Sequence, residues 1–363
     1  MEDSPEKILF DIVNNISSFE RVANENASNS SAHVNFDIEE FEFPDDLDIF
    51  NYRLAYKFSL PLVLIAGILT NPLPLTILIR RRMWLRHEGY LYLTAYLVAN
   101  TLLLAIVCLP KALYFFDEDW HIADTAEATC KIWSFLAHIV VSSDWLLVAL
   151  LADVYLRRHL LAPATKFGCR NFAAKYCTLF GAKFVTALTY VASVLVNWWC
   201  LVAAHLFLYD GDRYICHLSV IWYEELWLWR FVSLCVTQYI PVVIVTPMLC
   251  MMIVFANRGR VEAEAETDVI DGAVEDDRKQ LTRLSIGVAG AAFLLKAPHY
   301  LLEMVIQTRR LWFYAEIAIA WYATEFIMST QLFLLPGLCI AMLPEVRAVI
   351  RSLRLDRFGH RRF

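Results

Sequence analysis

Apolar residues in this chain come in long runs, and polar residues collect in short clusters between them. Seven runs have membrane-spanning length: 54–79, 91–116, 130–155, 176–206, 229–255, 281–306 and 314–343. About 20 residues cross the hydrocarbon core as a helix, and a helix satisfies its own backbone hydrogen bonds, which lipid cannot do. The runs are too long for strands of a membrane barrel. The pattern predicts an all-α membrane protein, a bundle of seven transmembrane helices. Pro72, Pro74, Pro110, Pro241, Pro247, Pro298 and Pro336 fall inside the runs. Each is tolerable where a neighbour replaces the lost backbone bond.

The polar clusters divide by charge. Arg80, Arg81, Arg82, Arg86, Arg157, Arg158, Lys166, Arg170 and Lys175 lie in two loops on one side, with Arg347, Arg351, Arg354 and Arg357 after the last run. The other side carries Asp117, Glu118, Asp119, Asp124, Glu127, Asp210, Asp212, Glu224 and Glu225. Positive charge marks the cytoplasmic side. The N-terminus is therefore expected outside and the C-terminus inside, in a multi-pass protein of the plasma membrane. The start "MEDSPEKILF" shows no signal peptide.

Three segments follow. Residues 1–52 read as a disordered external tail, with glycosylation sequons at Asn15, Asn26 and Asn29. Residues 53–343 form the transmembrane domain. Residues 344–363 begin "PEVRAVIRSLRL", whose Arg/Val/Ile/Leu spacing suits a short amphipathic eighth helix on the inner leaflet. The inner loop near 257–280 is either mobile or an extension of its flanking helices. Thr267, Thr282 and Ser285 are its candidate phosphorylation sites.

Composition agrees. Of 363 residues, 58% are hydrophobic and 19% charged, where a soluble domain has about a quarter charged. Nine cysteines are present. Cys130 and Cys216 are expected at the outer surface, where an oxidising compartment favours their pairing, with Cys200 as a competitor. No metal-ligand cluster, phosphate loop or nucleophile triad appears. The reading is not an enzyme, with no cofactor, no metal and no nucleic-acid partner; the lipid membrane is its surroundings.

Short motifs in order resemble the rhodopsin-like family of G-protein-coupled receptors. "GILTNPLPLTIL" resembles its first helix, with Asn71 at the marker position, and "LTAYLVANTLLLAIVCLP" its second, with Asn100 where Asp is usual. "DVY", Asp153, Val154 and Tyr155, resembles the Asp-Arg-Tyr motif. "FLLKAPHY" resembles the sixth-helix Phe-x-x-Cys-Trp-x-Pro motif, and "LLPGLC" resembles Asn-Pro-x-x-Tyr, with Pro336 at the proline. The nearest likeness is to invertebrate neuropeptide receptors. The resemblance implies an extracellular peptide ligand, cationic or amidated, and a heterotrimeric G protein inside. It implies pocket residues Gln238, Lys296, His299, Tyr300, Glu303, Trp321 and Glu325.

Departures from the family are as informative. Val154 replaces the Arg used against the G protein; Arg157 and Arg158 are either partial substitutes or lipid contacts. Asn100 with Leu335 removes much of the family's sodium site, leaving Ser143. Leu136 stands where amine receptors have Asp, and 314–343 contains no lysine for retinal. Alternatives are a non-signalling decoy receptor, or an ion- or proton-linked transporter using Asp144, Lys296 and Glu325.

Lys296 replaces the family's Trp at the pocket floor. A charge at mid-bilayer costs from about 2.5 kcal/mol upward and marks a paired or wet site. At 1.5 Å rise per residue, Lys296 is roughly 15 Å below the outer end of its helix, Glu325 roughly 16 Å and Asp144 roughly 21 Å. Depth favours Glu325 slightly. The expectation is a buried charge network of Asp144, Lys296, Glu325 and Asn100 joining the third, sixth and seventh helices.

Overall fold

The computed structural model describes residues 47–116, 122–159, 178–209, 213–218, 223–263, 272–309 and 315–359. Asn15, Asn26 and Asn29, with the rest of the tail to residue 46, lie outside them, as do Thr267 and Arg158's side chain. Seven helices have the length and apolarity to cross a membrane: α1 (Phe58–Arg80), α2 (Glu88–Leu113), α3 (Glu127–Arg157), α4 (Leu179–Ala203), α5 (Leu228–Val254), α6 (Lys279–Ile306) and α7 (Ile319–Met342). A further helix, α8 (Pro344–Gly359), follows directly. The protein is an all-α seven-helix bundle. Between α5 and α6 the first helix runs on to Ala263 and the second starts at Gly272, so much of the loop near 257–280 extends its flanking helices.

Burial separates central helices from peripheral ones. Half of the α3 window is buried, against 11% of α4. α4 turns Phe180, Phe184, Leu188, Val191 and Leu195 outward. Their i, i+4, i+8 spacing makes an apolar stripe that water would penalise and acyl chains accept. Among the described residues three apolar clusters are buried, the smallest around Trp199, Cys200 and Ala203. The largest lies around Leu78, Leu93, Leu97, Leu150, Leu151, Val288 and Leu335. The second joins α1, α2 and α7 through Leu60, Val63, Leu104, Cys108 and Leu332. At Gly67 the α1 backbone comes so close to α2 that a Cβ would stand 2.7 Å from the Leu104 side chain.

Three of the prolines are repaired by named neighbours. Pro336 cannot donate to Leu332, four residues back. That carbonyl instead accepts from Asn71 Nδ2 at 2.7 Å and Asn100 Nδ2 at 3.3 Å. Pro110 cannot donate to Ile106, within the π turn Leu104–Cys108; the Trp133 indole does so at 2.7 Å. In the π turn Cys235–Tyr239, Ile240 donates to Cys235, so the next π-spaced donor to Val236 would be Pro241. The Trp145 indole fills that place at 2.8 Å. Three proline-bearing helices, α2, α5 and α7, are thus tied to α1, α2 and α3 by side chains aimed at freed carbonyls.

At one end of the bundle a hairpin lies between α4 and α5. Strands β1 (Ala204–Tyr209) and β2 (Arg213–Leu218) pair antiparallel, with Leu206 opposite Cys216. The Cys130–Cys216 disulfide anchors the hairpin to the top of α3, and Cys200 is a buried free thiol. Asp124 Oδ1 accepts from the Cys216 N–H at 2.6 Å. His205 reaches Glu127 at 3.1 Å.

Candidate functional site

α3 is not one continuous helix. It stops at Val141 and resumes at Asp144, with Ser142 and Ser143 forming a turn. Asp144 therefore occupies the first turn of the inner segment, where backbone N–H groups favour a carboxylate. Around that break, Asn197 of α4 donates to Ser142 Oγ at 3.2 Å and accepts from Ser233 of α5 at 2.6 Å. This joint fixes the rotation of α3 and hence the aim of Asp144.

Lys296 is 6% exposed and Asp144 4%, so neither charge is solvated from the surface. Lys296 Nζ donates to Asp144 Oδ1. Tyr300, one turn above Lys296 on α6, donates to Asp144 Oδ2 at 3.0 Å. The Tyr96 ring lies 5.8 Å from the ammonium, within cation–π range. The carboxylate thus has both oxygens occupied by α6. Beside the pair is a cavity of about 20 Å³ bounded by Leu147, Pro241, Val245, Ala292 and the two charged residues. That volume holds one water, and the pair would give it two polar partners.

Glu325 does not join this pair. It faces α2 and binds Lys111 at 2.5 Å, with the lysine side chain 36% exposed and the glutamate 14%. The expected three-helix network is therefore two separate pairs, α3–α6 and α2–α7. Depth along a helix was a poor guide because it carries no information about rotation around the axis. Lys111 went unread in the sequence. It stands in "CLPKALYFF", one residue after Pro110, and a lysine in an apolar run was its available signal. Asn100 belongs to neither pair; its amide reaches Asn71 Oδ1 at 3.4 Å and the Leu332 carbonyl.

The other pocket residues divide by role. His299 Nδ1 meets Thr324 Oγ1 at 3.2 Å, and its ring leans on Trp321 with centroids 4.5 Å apart. Tyr300 is committed to Asp144. Glu303 is 7% exposed on α6. Gln238 is buried, and among the described residues neither its side-chain Oε1 nor the buried hydroxyl of neighbouring Tyr239 has a partner. Gln238, Tyr239 and Glu303 lie on the two helices α5 and α6.

At the end of α3 opposite the hairpin, Asp153 and Val154 are both buried, and Val154 packs into the largest apolar cluster. Arg157 Nε donates to Asp153 at 3.1 and 3.2 Å, and its Nη2 pairs with Glu88 at the start of α2. The lipid contact considered for Arg157 is thus replaced by an intramolecular clamp. His87, Glu88 and Asp153 come within 4.8 Å of one another, with the Arg157 guanidinium already serving as their cation. Thr282 and Ser285 are buried, and Ser285 Oγ donates to the Leu281 carbonyl at 2.7 Å. They are not accessible for phosphorylation in this arrangement.

No protein-family model matches the chain, and no curated protein matches it.

Proposed function

We propose that the chain is a seven-helix receptor of the plasma membrane, built in the rhodopsin-like manner, that takes an extracellular ligand at the hairpin end. The observation that carries this reading is the Lys296–Asp144–Tyr300 cluster, which joins α3 to α6 in the bundle interior. The disulfide on the hairpin side fits an oxidising exterior, and the arginine-rich loop and α8 fit the cytoplasmic side. A ligand that disturbs the cluster would shift the balance between two helix arrangements, provided it binds one of them better.

The interior is balanced in charge at both pairs, because Lys111 neutralises Glu325. That favours a dipolar ligand end over a strongly cationic one. Between the two peptide classes considered, a C-terminally amidated peptide with an aromatic end fits better: a primary amide complements the unpartnered Gln238 oxygen, and Trp321 and His299 supply stacking surface. On the inner side, Val154 is buried and Arg157 is held by Glu88 and Asp153. G-protein coupling therefore requires Arg157 to leave this clamp, or uses other residues.

The test is a screen of amidated and free-acid forms of a peptide library, read in parallel by a G-protein-independent assay and by G-protein recruitment. Receptor function predicts hits for the amidated forms in the first assay. Hits there without recruitment would identify a decoy receptor. The two buried lysine–carboxylate pairs and the water-sized cavity give the transporter reading its support. Ion or proton flux in proteoliposomes, abolished by Lys296→Met, would establish that reading in place of the receptor.

A further inference from the structure

We propose that the arginine triplet at the end of α1, with Trp84 and the first turns of α4, forms a binding site for a polyanionic lipid headgroup of the phosphorylated inositol class. The inference stands apart from the receptor reading and needs only a bilayer around the bundle.

Arg80, Arg81 and Arg82 are consecutive and all exposed. Arg82 has φ 52° and ψ 32°, and it is the one non-glycine residue with positive φ among the described residues. Left-handed backbone is unfavourable for a residue with a Cβ, so it persists where the surroundings enforce it. Here it reverses the chain. Met83, 3% exposed, turns into the core, while the three guanidiniums remain outside. Trp84 follows, half-buried, with the exposed Lys183 of α4 at 6.0 Å from its ring. Lys183 thereby places the start of α4 beside the triplet. α4 begins at Leu179, capped by Thr178, whose Oγ1 accepts from Gly181 N–H at 3.1 Å. The positive end of its dipole faces the same membrane side.

Three guanidiniums on one loop, with an ammonium that reaches Trp84 of the same loop from α4, suit several phosphate charges on one molecule. Arginine recognises phosphate oxygens through paired N–H donors. The surroundings identify the anion as a lipid. Ile79, Phe180 and Phe184 are 47%, 80% and 61% exposed next to these cations, as expected of side chains that contact acyl chains. An anion held there has hydrocarbon beside it, and Trp84 is suited to the headgroup boundary.

The experiment uses the full chain in nanodiscs of phosphatidylcholine containing a few per cent of either a bisphosphorylated phosphatidylinositol or phosphatidylserine at matched total charge, with bound lipid measured by native mass spectrometry. The inositol lipid should be retained in preference to the serine lipid. Arg81→Gln should weaken retention about fivefold, and Arg80→Gln/Arg81→Gln/Arg82→Gln about a hundredfold, at roughly a fivefold loss per basic side chain. Arg82→Gly removes one guanidinium while relieving the left-handed backbone. It should lose about fivefold in retention without losing thermal stability, so a binding defect is separated from a folding one. Lys279→Gln/Arg283→Gln, on the same membrane side of α6, should have no effect. Equal retention of both lipids, an unaffected triple variant, or an equal loss from the α6 variant would overturn the proposal.

Discussion

A lysine ammonium deep in a bundle has few ways to be tolerated, and this chain uses two of them. Lys296 is buried and fully engaged by Asp144 and the Tyr96 ring. The Lys111 side chain is partly exposed while it holds Glu325. The difference in exposure sets different energies. Removing one member of a buried pair typically costs 3–5 kcal/mol, because the other is left uncompensated. A pair with one partly solvated member is worth about 1 kcal/mol or less. We therefore expect Glu325→Gln, which leaves the more exposed lysine alone, to lower stability by about 1 kcal/mol in thermal unfolding of detergent-purified protein, with a larger loss from Lys111→Met, which strands the more buried carboxylate. The residue identities were legible in the sequence, since Lys296, Asp144 and Glu325 interrupt apolar runs. Their pairing was not. Asp144 and Glu325 lie at comparable depths, and rotation about each helix decided between them. For α3 that rotation depends on the Ser142–Ser143 break and its contact with Asn197, which no spacing rule announces.

At the scale of elements, the helices follow from the apolar runs, with ends displaced by a few residues. The run at 91–116 becomes Glu88–Leu113, and that at 281–306 becomes Lys279–Ile306. Hydropathy reads well here because lipid enforces helix wherever an apolar run must cross it. The π turns and the hairpin were not legible. Both π turns sit next to a proline, and each has a carbonyl taken by a tryptophan of α3, Trp133 for Ile106 and Trp145 for Val236. Pro110 and Pro241 were visible; their partners, far away in sequence, were not. Each indole N–H satisfies a carbonyl that would otherwise stand unpaired, at a cost of about 1–3 kcal/mol. Trp145→Phe and Trp133→Phe should each destabilise the fold by that amount while preserving helical circular dichroism. Trp198→Phe, on an exposed position of α4, is the matched control and should be near neutral.

For the whole molecule, the bundle is held at three levels. The disulfide fixes the hairpin to α3 at one end, two ion pairs join helices within, and the Arg157 clamp joins α2 to α3 at the other end. The cross-link closes a loop of 86 residues, and such a loop is worth roughly 4.6 kcal/mol in the chain-entropy model. Cys130→Ser/Cys216→Ser should therefore lower the unfolding midpoint, with the hairpin gaining hydrogen exchange before the helices do. The Arg157 clamp restrains α2 against α3, while the Lys296 cluster restrains α3 against α6. Helix rearrangement in the proposed receptor must release the second of these. That makes the coupling between Lys296 and Asp144 the quantity on which the account rests. A double-mutant cycle with Lys296→Met and Asp144→Asn, followed by unfolding of the purified protein, measures it directly. A coupling of about 2 kcal/mol or more is predicted, with Lys296→Met and Glu325→Gln additive to within about 0.5 kcal/mol. Additive effects at Lys296 and Asp144, or strong coupling of Lys296 to Glu325, would contradict the account.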